Sequence, residues 1–169
     1  MILNLLKYIS IIKRKIKYRK VSYSFNAVDL IINYIFKNKK KGFYVDVGAQ
    51  HPISNNNTYL LYKKGWNGIN IDLDVKNIEL LNISRPNDIN LNYAISSSVG
   101  KQKLFFYHDR SPINTLVKNV AHFQKSKVKI IKDINTITLN KIFDDLKINK
   151  HIDYMNIDVE GHELDVLKG

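Results

Sequence analysis

Residues 42–52 read Gly42-Phe-Tyr-Val-Asp-Val-Gly-Ala-Gln-His-Pro52. Phe43–Val47 is short, apolar and β-branched between two glycines, the pattern of a buried strand. Beyond it, Ser54–Lys64, closed by Gly65, carries a helical pattern. A strand, a tight turn at Asp46–Gln50 and a helix place a nucleotide-like ligand at the carboxyl end of a parallel strand. Gly48 removes a Cβ where backbone must approach such a ligand. The turn is not a G-x-G-x-x-G fingerprint, because Gln50 and Ile53 stand where further glycines would be needed. A pyrophosphate-binding turn is therefore not indicated.

Working outward, Gly68–Leu73 is a second strand candidate that ends in Ile71-Asp-Leu-Asp74, with Asp72 lying 26 residues beyond Asp46. An acidic side chain there can accept hydrogen bonds from ribose hydroxyls. Asp74 is better read as the cap of a helix carrying Val75, Ile78 and Leu81, which Pro86 stops. Upstream, Asn26 caps a helix whose apolar stripe is Val28, Ile31, Ile32, Ile35 and Phe36. Downstream, Ile89–Ile95 alternates as a third strand, and Ser96–Gly100 turns into Lys103–Tyr107, so these two strands form a hairpin. Residues 109–127 read as loop with some helix. Lys129–Thr136 is a strand, Thr138 caps a helix with Leu139, Ile142, Phe143 and Leu146 on one face, His151–Ile157 is a strand and Gly161–Lys168 a helix. Strands alternating with helices predict an α/β fold with a mostly parallel sheet.

The second chemical segment is Ile152-Asp-Tyr-Met-Asn-Ile-Asp-Val-Glu-Gly-His-Glu-Leu-Asp-Val-Leu-Lys-Gly169. A strand running into Asp158, Glu160, His162 and Glu163 gathers titratable groups at the sheet edge where ligands of α/β folds sit. Glu163, Asp165 and Lys168 read as helix-surface charges. Trp66, between Gly65 and Asn67, reads as a packing anchor, and His51, just after the turn, reads either as a substrate contact or as a lone histidine with one of many structural roles.

Gly42–Pro52, Ser54 to Thr58, Leu61-Tyr-Lys-Lys-Gly-Trp-Asn-Gly-Ile-Asn-Ile-Asp72 and the Ile152–Gly169 stretch together resemble the FkbM methyltransferase family. The resemblance implies a Rossmann-like class I methyltransferase fold, helices on both faces of the sheet, and S-adenosylmethionine as cofactor. It implies Asp46, Gly48 and Ala49 near the methionine part, Asp72 on the ribose, and Asn92 and Ala94, in the segment Asn92–Ile95, beside the adenine. The implied reaction is methyl transfer to a hydroxyl of a glycan or small natural product. That is an in-line displacement requiring a positioned and deprotonated oxygen, and Asp158, then Glu160, have the chemistry for it, while His162 reads either as a base or as a solvated histidine at a helix start. No metal is expected. A complete fold of this kind has about seven strands, so the domain, placed at residues 25–169, is expected to be truncated beyond Gly169, with an open edge beside His151–Ile157.

Composition sets the remaining bounds. With 44% hydrophobic and 11% aromatic residues, 169 residues form a folded domain. The net charge of +12 reflects heavy use of Lys in a chain rich in Ile and Asn, and no specific nucleic-acid role is expected from it. The absence of cysteine excludes disulfides and thiolate chemistry and suits the cytoplasm. Ile2, Leu5, Ile9, Ile12 and Ile16 recur at helical spacing within a basic segment, residues 1–24, too short in its apolar part to span a bilayer. Packing on the domain or a second subunit is expected of it, with peripheral contact to the inner membrane face as the other option. Two other functions compete: a nicotinamide-dependent oxidoreductase, and a non-catalytic basic module acting through Lys13–Lys20 and Lys37–Lys41.

Overall fold

The computed structural model describes residues 9, 12–14, 21–123 and 127–169. The amphipathic segment expected at the N-terminus lies largely outside them. A short 3-10 turn, Phe25–Ala27, leads into α1 (Val28–Ile35). Next come β1 (Phe43–Val47), α2 (Tyr59–Lys63), β2 (Asn67–Asp72), α3 (Val75–Ser84), β3 (Ile89–Asn92) and β4 (Ala94–Ile95). The remainder is β5 (Gly100–Phe106), α4 (Lys118–Phe123), β6 (Ile130–Ile137), α5 (Leu139–Asp145), β7 (Tyr154–Ile157) and α6 (Glu163–Lys168).

The central sheet is parallel throughout, in the order β3-β2-β1-β7. Strand β1 is buried along its whole length, as a strand covered on both faces must be. Its alternate residues face different layers. Phe43, Val45 and Val47 join Ile69 and Ile71 in a core closed by Leu139 and Ile142 of α5 and Val166 of α6. Tyr44 points the other way, into a second cluster with Ile32 of α1, Leu61 of α2 and Trp66. Helices thus cover both faces, the Rossmann-like arrangement. A smaller sheet, β4-β6-β5, lies beside this one, with β4 parallel and β5 antiparallel to β6.

Several local expectations change. Ile89–Ile95 is not one strand: Tyr93 interrupts it, leaving β3 in the central sheet and β4 in the small one. β5 does not form a hairpin with β4, because β6 inserts between them. Asn26 does not cap α1. It adopts a left-handed φ of 56°, and Ser24 does the work by accepting from the Asp29 amide at 2.9 Å, while Asp29 accepts from the Tyr23 amide at 2.7 Å. The helix expected from Ser54 starts only at Tyr59, since Ser54–Thr58 is folded into a loop by side-chain hydrogen bonds. Asp74 and Thr138 cap α3 and α5 as expected. Among the described residues, no helix is long and apolar enough to cross a membrane.

Candidate functional site

At the carboxyl ends of β1, β2 and β7, where ligands of α/β sheets sit, opens a cleft of about 770 Å³ measured out to solvent. Its floor is formed by Val47, Ile71 and Ile95, and its rim by Gly48, Gln50, Asp72, Tyr93, Asp158 and Glu160. The far wall comes from Ser111, Asn114, Thr115 and Leu116, in the loop after β5 where the sequence shows no firm pattern. That loop is tied down locally. Tyr107 donates its amide to Asn114 Oδ1 at 2.9 Å, Thr115 pairs with Phe105, and Thr115 Oγ1 donates to the Glu160 carbonyl at 2.8 Å.

The turn after β1 uses up its amides within the protein. Gly48 and Ala49 both donate to the Ile71 carbonyl, at 2.8 and 3.1 Å, and Gln50 donates to Asp72 Oδ2 at 2.8 Å. Gly48 has φ of +79°, and a Cβ built on it would sit 1.9 Å from the Asp158 carbonyl oxygen. The space a side chain would need is therefore filled by the loop after β7, rather than being reserved for a ligand. Ala49 is turned away from the cleft, into a cluster with Ile78 and Leu81.

Asp72 is 7% exposed and lines the cleft. Its Oδ1 accepts from the Asp74 amide at 2.8 Å and from Asn77 Nδ2 at 3.2 Å, and its Oδ2 from Gln50. Burial pushes its pKa up, against the pull of the Asp74 and Gln50 amides. A carboxylate has about four lone-pair sites, so roughly one remains, on Oδ2. Asn77, 3% exposed and also on the cleft wall, has a buried Oδ1 with no hydrogen-bond partner. Two acceptors with unused capacity thus lie together at the end of β2. They suit a ligand that brings hydroxyl or amine donors, as an adenosine does. Asn92 is exposed and supports this corner from behind, donating from Nδ2 to the Asp72 carbonyl at 2.9 Å, while Ala94 lines the cleft.

Asp46 does not reach the cleft. Its carboxylate lies 1% exposed on the α1 and α2 side of the sheet, accepting from Thr58 Oγ1 at 2.6 Å and Asn156 Nδ2 at 2.9 Å. Burial raises its pKa, opposed by the Thr58 hydrogen bond and the Arg85 charge. Arg85 is fully buried and donates to Thr58 Oγ1 at 2.8 Å, Asn56 Oδ1 at 2.6 Å and Asn70 Oδ1 at 3.3 Å. Asn56 in turn donates to the carbonyls of Ala49 and His51 and accepts from the Thr58 and Tyr59 amides. The loop from Gly48 to Thr58 is therefore laced to a buried charge beneath it. His51 serves the same loop: its Nδ1 accepts from the amides of Ile53 and Ser54. Trp66, 2% exposed, is a packing anchor, edge-on to Phe36 at 5.1 Å.

Asp158, Glu160 and His162 all line the cleft. The Asp158 carboxyl is pushed above its ordinary pKa by partial burial, then by the charges of Glu163 and Asp46. Glu160, held at a left-handed φ of 54°, is raised by burial and by Asp158 and Glu163. Glu163 goes the other way: burial would raise it, but amide donors including Gly161 and Val159 outweigh that and hold it low. His162 is 6% exposed, with Nε2 at 3.0 Å from Ser96 Oγ and Nδ1 at 3.4 Å from Asp165. Ser96 Oγ also accepts from Gln102 Nε2 at 2.6 Å, which holds the hydroxyl beside the His162 ring. Among the described residues no group of three or more His, Asp or Glu side chains is arranged to hold a metal.

Residues 46–169 match the family described as the methyltransferase FkbM domain. The chain belongs to the FkbM methyltransferase family. The match begins at Asp46 in the turn after β1 and runs through α6, so it takes in every residue of the cleft. Neither a curated protein nor a solved structure matches the chain. Membership makes this a methyltransferase in general terms and fits the mostly parallel sheet with helices on both faces.

Proposed function

We propose that the cleft binds S-adenosylmethionine and that the chain methylates a hydroxyl of a glycan or small natural product. The observation that carries this is the pairing of Asp72, with acceptor capacity on Oδ2, and the unpartnered Oδ1 of Asn77 on one wall of an apolar-floored cleft. Ribose hydroxyls or an adenine amine would satisfy both. The spent amides of Gly48, Ala49 and Gln50 favour this cofactor over a dinucleotide, since a pyrophosphate needs free backbone donors at that turn.

When bound, the cofactor supplies a sulfonium methyl open to in-line displacement. The protein's part is to hold the acceptor oxygen in line and to take its proton. Asp158 is the proposed proton acceptor, because it stands directly after β7, lines the cleft and has a raised pKa. Glu160 sits beside it in the same wall as the alternate acceptor. His162, with both ring nitrogens engaged, is proposed to hold the wall and orient the segment.

Isothermal titration with S-adenosylmethionine tests the reading. Binding weakened at least about tenfold by Asp72→Ala, and by a smaller factor by Asn77→Ala, is expected, because a hydrogen bond to a charged group contributes more than one to a neutral amide. Failure of the cofactor to bind, or equal binding by Asp72→Ala, sinks the assignment, and heat released by NAD instead would favour an oxidoreductase.

A further inference from the structure

Helix α1 has its polarity reversed. Apart from the Tyr34 hydroxyl, its polar side chains are Asp29 and Asn33. Asp29 is 1% exposed and spends its carboxylate on Ser22, Tyr23 and Ser24, and Asn33 is half-buried, with its Oδ1 shut off from solvent. The outward face is apolar: Val28, Ile31 and Ile35 fall at i, i+3 and i+7, with Tyr34 alongside. Ile31, Tyr34 and Ile35 are 61%, 68% and 66% exposed. The stripe expected from the sequence to face the core is thus split, and only Ile32 and Phe36 turn inward, against Trp66. Nothing among the described residues covers the other half. A surface helix whose outward face is apolar calls for an apolar occupant.

The lysines just beyond α1 identify the occupant. Lys37, Lys40 and Lys41 are exposed, and Lys37 lies over the Tyr34 ring at 4.7 Å, so the basic run borders the apolar stripe directly. The whole chain carries +12. A second copy would bring the same positive charges to the same face, which disfavours self-association through it. An anionic bilayer surface meets both demands: acyl chains for Ile31 and Ile35, the interface for the Tyr34 ring, and headgroup phosphates for the lysines.

We infer that the outer face of α1, with Lys37, Lys40 and Lys41, docks the protein on an anionic phospholipid membrane. The docking is independent of the cofactor and of the acceptor, and needs neither for its test.

The full chain is sedimented with vesicles of mixed phosphatidylcholine and phosphatidylglycerol, and with vesicles of phosphatidylcholine alone. Capture by the mixed vesicles, weak capture by the neutral ones, and at least about a tenfold loss of affinity in both Ile31→Asn/Ile35→Asn and Lys37→Gln/Lys40→Gln/Lys41→Gln are expected. The altered side chains are exposed, and thermal melts confirm that each variant is folded. Tyr34→Trp gives a second readout, a blue shift on mixed vesicles and quenching by brominated lipid. Unchanged capture of the isoleucine variant overturns the proposal, as does an unshifted Tyr34→Trp emission. It is equally overturned by a dimer that the isoleucine variant dissolves, or by tight binding to RNA with none to vesicles.

Discussion

Arg85 donates from Nε to the carbonyl oxygen of Pro52 at 3.0 Å, and Nη2 reaches the same oxygen. The guanidinium therefore clamps the tip of the Gly48–Thr58 loop to the end of α3, while its charge offsets the buried carboxylates of Asp46 and Asp88. Arg85→Met removes the cation and leaves those acids, the Pro52 carbonyl and Asn56 without their partner. Loss of about 3–5 kcal/mol in denaturant unfolding is expected, the cost of breaking a buried charge network from one side. Arg85→Lys restores the charge but not the fork, so it should recover part of that stability while leaving the loop loose.

Gly48 is constrained twice, by its positive φ and by the Asp158 carbonyl in the place of its Cβ. Gly48→Ala should cost upwards of about 1–3 kcal/mol, and it must push the segment after β7 outward. Because that segment carries Asp158 and Glu160, turnover should fall by more than cofactor affinity. Separate measurement of kcat and cofactor Kd checks this, and a pure Kd effect counts against it.

The raised pKa values of Asp158 and Glu160 set the direction of the pH profile. A base must be ionised, so kcat/KM should climb with pH along a limb displaced above the usual carboxylate range. Glu163→Gln retains an oxygen to accept from the Val159 and Gly161 amides but removes a charge that raises both groups. The limb should then move to lower pH. A limb that stays in place would mean that neither acid is the base.

In stability, Asp46 makes the opposite demand to a salt-bridged acid. Its folded pKa lies above the model-peptide value of 3.8, so between that value and the folded one the native state binds more protons than the unfolded chain. Its contribution is most favourable below that window and is lost as pH rises through it. Asp46→Asn should flatten the corresponding slope in a series of urea melts.

Trp66 fills the volume above Gly42, where a Cβ would come within 2.5 Å of its ring. Trp66→Ala should cost about 3–5 kcal/mol as a large cavity opens in the second core cluster. Activity per folded molecule should hold, since no atom of Trp66 borders the cleft.

Features decided by local chemistry were legible. β1 is bounded by two glycines, and Asp74 and Thr138 have only to reach an amide two or three residues on. Features decided by distant partners were not. Nothing around Tyr93 announces that Asn92 pairs with Asp72 while Ala94 pairs with Thr136. The far wall of the cleft, Ser111–Leu116, has no period because it is held by single hydrogen bonds rather than by a repeating face. Among the candidate site residues, Gly48, Asp72, Ala94, Asp158, Glu160 and His162 meet at the cleft, whereas Asp46, Ala49 and Asn92 brace it from outside. Arg85 and Asn77 went unread. Arg85 carried a faint signal, one of four arginines in a chain with 23 lysines, set between Ser84 and Pro86. A buried site needing several fixed donors selects the planar fork over a flexible amine.

The break at Tyr93 also governs how the cleft can come apart. With β3 sewn into one sheet and β4 into the other, a single residue is all the slack between them. Peeling the small sheet away would tear the Asp72 end of the cleft in the same motion, so the shape of the cleft and attachment of that sheet form one cooperative unit. Amide protons of β4 and β6 should accordingly exchange more slowly when the cleft is filled, although β6 contributes no residue to its lining.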